Sequence, residues 1–373
     1  MIRLDIKDEI LQGAVVKVIG VGGGGNNTVN SIIESRKEKI EFIVINTDTQ
    51  ALELSKAATK LHIGVKSTKG LGTGANPDLG KRAAQEDLEK IIEEIGDADI
   101  VFLAAGMGGG TGSGALPVIA QALKEKGILT IAVVTKPFLF EGKRRCRVAE
   151  AALVELEKSI DTLLVVPNQR LLDVVDETVS MIDAFSMIND ILAQSVNGIV
   201  DIISKAGHIN VDFADVRAIM KDRGLAVMGT ACASGQNRAK EATMQAISSP
   251  LLENMDIQGA HGVLLNVTGG KDLGLHEMGQ AASVVYEKAD KDALIIMGSV
   301  IDETLENGEI KVTIIATGFD QKVTIESTAI NAAKELKEKA VTSPSNNSSI
   351  PLTSLPELDI PTFLRDQTSE RVE

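Results

Sequence analysis

Fifteen of the chain's 34 glycines fall in three short windows: five in 20–25, four in 70–80 and six in 106–114. Glycine at such density marks backbone that must approach another group closely, or turn where a Cβ is forbidden. The first window, Gly20-Val-Gly22-Gly-Gly-Gly25, fits G-x-G-x-x-G, and an acidic residue, Asp48, lies further on. That is the dinucleotide-binding fingerprint, met here with low specificity because the segment is almost all glycine. The third window (106–114, GMGGGTGSG) adds two hydroxyls to six glycines, a composition able to aim backbone N–H groups and a helix N-terminus at an anion. The stretch 69–80 (KGLGTGANPDLG) has the same character. A dinucleotide leaves the third loop unexplained, and three glycine loops around one pocket suit a triphosphate better than a pyrophosphate. A Walker-type loop is excluded. Each Gly-Lys pair (Gly80-Lys81, Gly142-Lys143, Gly270-Lys271) is followed by Arg or Asp, where that motif needs Ser or Thr.

A second group of candidates is polar and acidic. Asn210, Asp212 and Asp215 cluster in NVDFAD. Taken alone, Asp212 reads as a helix N-cap and Asp215 as a first-turn acid favoured by the helix dipole. Asp190 reads as a polar residue on an exposed helix face. Two cysteines, Cys146 and Cys232, exclude a disulfide framework and a cysteine-based zinc site. The four histidines are scattered (62, 208, 261, 276) and form no metal-ligand spacing, so no protein metal site is expected.

The loops need a scaffold that brings them together. Residues 14–20 (AVVKVIG), 41–46, 99–105, 129–135 and 161–167 read as buried strands, with a short one at 61–64. Residues 26–38, 77–95, 113–126 and 146–160 read as helices, with Pro77 at a first helical position. Each glycine loop follows a strand and opens a helix. The alternation predicts an α/β fold with a doubly wound, mostly parallel sheet, its loops meeting at the carboxyl ends of the strands. Residues 178–205 read helical throughout, about 40 Å of helix at 1.5 Å per residue, crossing between two domains. Beyond it, helices at 213–221, 238–248 and 275–289 and strands at 226–234, 261–269, 293–300 and 309–319 describe a second, smaller α/β domain with a mixed sheet. At roughly 150 residues per domain, 373 residues accommodate this pair and a tail. The pattern decays from Gln321, with one short helical stretch at 332–340. Residues 341–357 hold five Ser, three Pro and two Asn, the composition of a flexible linker.

Net charge is −14, of which about −2 belongs to the last 53 residues. An acidic body repels phosphate backbones and anionic lipid, so no direct nucleic-acid or membrane binding is expected. With no Trp, one Tyr and eight Phe, base-stacking platforms for nucleic acid are not expected either. No apolar run reaches the roughly 18 residues of a membrane span, and residues 1–11 have no signal-peptide core. A cytoplasmic location is the expectation.

Gly108-Gly-Gly-Thr-Gly-Ser-Gly114 matches the tubulin signature G-G-G-T-G-[ST]-G at every position. With Gly22-Gly-Gly-Gly-Asn-Asn27, Gly70-Leu-Gly-Thr-Gly-Ala-Asn-Pro77, Pro137-Phe-Leu-Phe-Glu-Gly-Lys-Arg-Arg145 and Asn210-Val-Asp-Phe-Ala-Asp-Val216, the chain resembles the tubulin/FtsZ GTPase family in its bacterial cell-division branch. The resemblance runs from about residue 15 to 319 and resumes at 358–365. It implies a tubulin-like fold and a GTPase that polymerises head to tail into protofilaments, forming the cytokinetic ring at the mid-cell division site.

Carried over motif by motif, it puts the phosphates of GTP or GDP on Gly23, Gly24, Gly25, Asn26, Asn27, Ala75, Gly108, Gly109, Gly110, Thr111 and Gly112. Glu141 and Arg145 would flank ribose and phosphates. Asn168, Phe185 and Asp190 would hold the guanine, Phe185 by stacking and Asp190 by accepting from the N1–H and N2–H₂ donors that adenine lacks. Asp212 and Asp215, with Asn210 orienting, would polarise the attacking water in the cleft of the next subunit, so that the site forms only on polymerisation. Mg²⁺ is expected as counter-charge, held mainly by phosphates and water.

The implied organisation is a flexible segment 1–12, a GTP-binding domain 13–177, a central helix 178–206, an activation and polymerisation domain 207–320, a linker 321–357 and a docking peptide 358–368. In that peptide Leu358, Asp359, Ile360, Pro361, Phe363 and Leu364 have the character of a segment that orders on a partner. The resemblance names the partners as membrane-tethering division proteins of the FtsA and ZipA type, beside division-site regulators. A seventeen-residue linker reaches only about 20–25 Å root-mean-square. Two other classes remain at this point: a dinucleotide-dependent oxidoreductase, resting on 20–25 and Asp48, and a non-catalytic nucleotide-gated scaffold of the same fold.

Overall fold

Val18 and Ile19 are adjacent, both fully buried, and they enter different hydrophobic cores. That alternation is what a strand covered on both faces requires, and it organises the whole fold. The computed structural model describes residues 14–35, 40–173, 175–176, 178–204, 209, 211–249, 257–302, 305 and 308–319. The strands are β1 (Val16–Val21), β2 (Glu41–Asn46), β3 (Thr59–His62), β4 (Ile100–Gly106), β5 (Leu129–Lys136), β6 (Thr162–Pro167), β7 (Gly224–Ser234), β8 (Ala260–Gly269), β9 (Leu294–Ile301) and β10 (Glu309–Phe319). The helices are α1 (Gly22–Ser35), α2 (Thr49–Glu53), α3 (Val65–Thr68), α4 (Pro77–Glu86), α5 (Leu88–Ile95), α6 (Thr111–Glu125), α7 (Lys143–Ser159), α8 (Met181–Ser204), α9 (Phe213–Met220), α10 (Arg238–Ile247) and α11 (Leu275–Lys288).

All ten strands belong to one sheet of order β3-β2-β1-β4-β5-β6-β7-β10-β8-β9. The first six run parallel. Their order, 3-2-1-4-5-6, reverses direction between β1 and β4, and a crevice opens at the carboxyl ends of the strands at such a switch point. β10 is antiparallel to both β7 and β8, and β9 is parallel to β8, so this half of the sheet is mixed. Among the described residues, strand pairing between the two halves runs over three residue pairs, Thr162↔Gly224, Leu163↔Leu225 and Leu164↔Ala226.

One core lies between the parallel strands and α4 to α7, with Ile19, Leu103, Leu116 and Leu153 among its members. The opposite face packs on α1, α8 and α9 through Val29, Ile32, Val196, Ile199 and Val216. That second core also takes in Leu264 and Ile315 from the mixed half, so α8, about 36 Å long at 1.5 Å per residue, is buried against both. A third core lies under α10 and α11. No helix among the described residues is long and apolar enough to cross a membrane.

Several elements differ from their sequence readings. The first glycine run is the opening turn of α1, four residues earlier than the helix expected at 26–38. The helix expected over 77–95 breaks at Asp87, whose Oδ2 accepts from the Gly64 N–H at 2.7 Å. The expected segments 1–12, 321–357 and 358–368, with the docking residues Leu358 to Leu364, lie outside the described residues.

Candidate functional site

The crevice at the β1/β4 switch point is a cleft of about 360 Å³. Two helices start at its floor. α1 begins at Gly22 directly after β1, and α6 begins at Thr111 behind Gly110, which caps it without any side-chain hydrogen bond. Their first-turn N–H groups have no helical acceptors, and both dipoles present positive ends. The pair forms an anion cradle of backbone donors.

The glycines there divide by role. A Cβ on Gly25 would collide with the Ala104 carbonyl, and one on Gly110 with the Thr73 hydroxyl; these two let helices and loops pack closely. A Cβ on Gly23 or Gly109 would meet nothing within 4 Å, so these two face open cleft. Thr111 is buried in a hydroxyl network, its Oγ1 at 2.8 Å from Thr47 Oγ1 and 3.4 Å from Thr73 Oγ1.

Of the sequence-derived candidates, Gly23, Gly24, Asn27, Gly109, Gly110, Thr111, Gly112, Glu141, Arg145, Asn168 and Phe185 line this single cleft. Gly25, Asn26 and Gly108 stand behind the wall. Asn26 is buried, donates its Nδ2 to the Ala51 carbonyl at 3.3 Å and leaves its Oδ1 without a donor. The Gly108 N–H is taken by Ser113 Oγ at 2.8 Å. Ala75 is not on the lining and holds a left-handed backbone, φ 60°, in a loop where Gly72 and Gly74 are also at positive φ.

Glu141 is fixed twice. Its Oε1 accepts from the Phe138 N–H at 2.9 Å, and its Oε2 pairs with Arg145. Arg145 carries positive charge onto the cleft wall. Asn168 is buried, and its side-chain oxygen has no donor. A buried unpartnered acceptor costs about 1–3 kcal/mol, so this atom is set up for a hydrogen-bond donor brought by a ligand. Phe185 packs edge-on against Phe138 at 5.6 Å between ring centroids and keeps a face exposed.

Asp190 is not on the cleft. Its Oδ1 accepts from Ser31 Oγ at 2.7 Å, toward α1. Asn189 lines the cleft instead, with Phe185, Ile188 and Leu192. These four are spaced i, i+3, i+4 and i+7, one face of a helix. That spacing is the signal the sequence carried for Asn189, and the motif carried over by resemblance put Asp190 there instead.

Asp48 does not reach the cleft either. It caps α2, accepting from Gln50 and Ala51 N–H at 2.9 and 3.4 Å. The acid that a dinucleotide would need on its ribose is therefore committed elsewhere. Among the described residues no group of three or more His, Cys, Asp or Glu could hold a metal ion.

Asp212 and Asp215 form a capping box at the start of α9. Asp212 Oδ1 accepts from the Asp215 N–H at 2.8 Å, and Asp215 Oδ2 from the Asp212 N–H at 3.4 Å. Both are exposed, and Asn210 lies outside the described residues. Their helix sits at the other end of the sheet. Arg217 donates to the Gly127 carbonyl, just before β5, and the Arg223 N–H to the Asp161 carbonyl, just before β6. At about 3.3 Å per residue, the strands put roughly 20 Å between these carboxylates and the cleft.

Residues 15–176 match the Tubulin/FtsZ family, GTPase domain, and residues 224–320 match the FtsZ family, C-terminal domain. Among solved structures the chain is similar to an empty FtsZ dimer from M. jannaschii, at 44% identity over 82% of this chain and 88% of that one, with a TM-score of 0.78. It shares its fold with CetZ2 from Haloferax volcanii in a GTPγS-bound protofilament, at 22% identity, 88% and 99% coverage and a TM-score of 0.72. The same holds for CetZ1 from that organism, a GDP-bound monomer, at 22% identity, 84% and 99% coverage and a TM-score of 0.72.

Proposed function

The chain belongs to the tubulin/FtsZ family, whose members are GTPases, and from that footing we propose that it hydrolyses GTP only where two copies stack head to tail. The observation that carries this is the separation just described: phosphate cradle and carboxylates lie at opposite ends of one sheet, too far apart to meet in one chain. Stacked in register, the Asp212 end of one copy meets the cleft of the next.

The work of each group follows. The N-termini of α1 and α6, through Gly23, Gly24, Asn27 and Gly109 to Gly112, take the phosphates, with Gly25, Asn26, Gly108 and Ala75 shaping the loops. Arg145 adds positive charge, held in place by Glu141. Phe185 stacks on the base, while Asn168 and Asn189 offer amide oxygens to its N–H donors. Phosphoryl transfer asks a protein chiefly for positioning and charge stabilisation. Asp212 and Asp215 of the neighbouring copy polarise the attacking water, with Asn210 assigned to orienting it. Mg²⁺, when bound, would neutralise phosphate charge, held mainly by phosphate oxygens and water, since among the described residues no carboxylate cage faces the cleft.

The cellular reading is a cytoplasmic protofilament of the bacterial division ring, tethered through residues 358–368 to membrane-bound division proteins. The functional parts are a nucleotide domain (13–177), a central helix (178–206) and an activation domain (207–320).

The test is GTP hydrolysis with Mg²⁺ as a function of protein concentration. A specific rate near zero below a threshold and constant above it is expected. A rate per chain independent of concentration refutes completion in trans.

A further inference from the structure

Asp190 offers the residue type best suited to a guanine edge, yet its carboxylate is spent on another helix. On α8 it sits about 100° round from Asn189, facing α1. Ser31 Oγ donates to Asp190 Oδ1 at 2.7 Å. Seven residues further along the same stripe of α8, Asn197 Nδ2 donates to Ser35 Oγ at 3.3 Å. Ser31 and Ser35 are themselves one turn apart on α1. Two polar rungs therefore bridge the helices, above an apolar seam of Val29 and Ile32 against Leu192, Ala193 and Val196.

The two helices carry different parts of one site. α1 begins in the phosphate cradle, and the second turn of α8 carries the cleft face of Phe185, Ile188 and Asn189. An apolar seam tolerates rotation and sliding better than a directional hydrogen bond does. The rung nearest the base is the Ser31–Asp190 bond, and its carboxylate is the direct neighbour of Asn189.

We infer that Asp190 is a positioning residue: held by Ser31, it fixes the rotation of α8 at which Phe185 and Asn189 meet the base, and so couples base selectivity to the helix that binds the phosphates. The inference rests on the guanine-nucleotide reading above. It adds Ser31, which touches no nucleotide, to the residues that set base preference, and it removes Asp190 from direct contact.

The experiment measures binding of GTP, ITP (which lacks the 2-amino group) and ATP to the full-length chain and to Ser31→Ala, Asp190→Ala, the double variant and Ser31→Thr. Wild-type chain without guanine preference refutes the functional reading itself, before any variant is compared. Given that preference, Ser31→Ala is expected to lower GTP affinity by about three- to tenfold and to narrow the GTP-over-ITP ratio similarly. The double variant should match Asp190→Ala within about twofold, because both remove one interaction, and Ser31→Thr should restore both readouts. Three results overturn the inference: a silent Ser31→Ala beside an Asp190→Ala that loses guanine preference, effects that multiply in the double variant, or an equal loss for all three nucleotides with the ratios unchanged.

Discussion

Asp212→Asn separates the helix capping that this carboxylate performs from the water activation proposed for it. Asn caps a helix about as well as Asp, and it is isosteric with it. The 2.8 Å bond from the Asp215 N–H to the residue 212 side chain therefore survives, and stability should change by less than about 0.5 kcal/mol, against about 1 kcal/mol for Asp212→Ala. The cleft lies roughly 20 Å away within the same chain, so GTP affinity should not change. Only the charge proposed to act on water in the next copy's cleft is lost, and on that proposal turnover should fall by about 10²–10³-fold, the span for removing one proton-handling or charge-stabilising group. The informative assay mixes this variant with a second one damaged at the other end. In Gly109→Asp, the added Cβ meets nothing within 4 Å, so the side chain starts from open cleft, where it sets a carboxylate against the phosphates. Each variant alone should be nearly inactive. Mixed in equal amounts and stacked at random, about one junction in four pairs an intact cleft with an intact Asp212, so about a quarter of wild-type turnover should return. A mixture no more active than the sum of its parts refutes the separation of the site between copies.

Asn168→Ala removes a buried oxygen that has no donor; thermal denaturation of the nucleotide-free chain should show little or no loss of stability, while GTP affinity, by titration, falls about tenfold. At a net charge of −14 copies repel one another, so raising Mg²⁺ or moderate salt should lower the concentration at which light scattering appears; an unchanged threshold counts against this. Arg238 is buried and gripped by Glu277 and Asp272, and Arg238→Met should cost about 2–3 kcal/mol in urea unfolding, below the fully buried figure because Glu277 is partly exposed. The Arg238 guanidinium holds both carboxyls below their ordinary range; their stabilisation is present above the unfolded-state values and is lost as pH falls through the folded ones. Stability measured from pH 6 down to pH 2 should therefore drop more steeply in wild type than in Arg238→Met.

The parallel half of the sheet and the position of its loops were legible because strand, glycine loop and helix repeat in order, and that repetition leaves few topologies. The start of α1 was not. Four consecutive glycines have poor helix propensity, and what holds them helical is close contact with β4 through Gly24 and Gly25, which no local pattern encodes. The break at Asp87 likewise depends on Gly64, 23 residues away. Within the site, the residues alone read Asp190 as a polar position on an exposed helix face and the family resemblance made it the base acceptor; the 100° step per residue turns it toward Ser31 and puts Asn189 on the cleft. For Asp212 and Asp215, the capping geometry read from sequence is the geometry found, and their remoteness from the glycine loops could be seen only once the strands were in place.

The opposed ends of the sheet also set an arithmetic for any row of copies. A row of n chains has n − 1 junctions, so one cleft always stands open at one end with no carboxylate over it. On the proposed completion in trans, the chain at that end would keep its triphosphate however long the row persists, while every interior chain would have begun to spend its own. The two tips would then be chemically unlike, and the age of such a filament would be recorded behind its newest subunit. Under that proposal, a single chain that stores its cradle and its carboxylates a sheet's length apart would be, once stacked, a clock that cannot start until the next copy arrives.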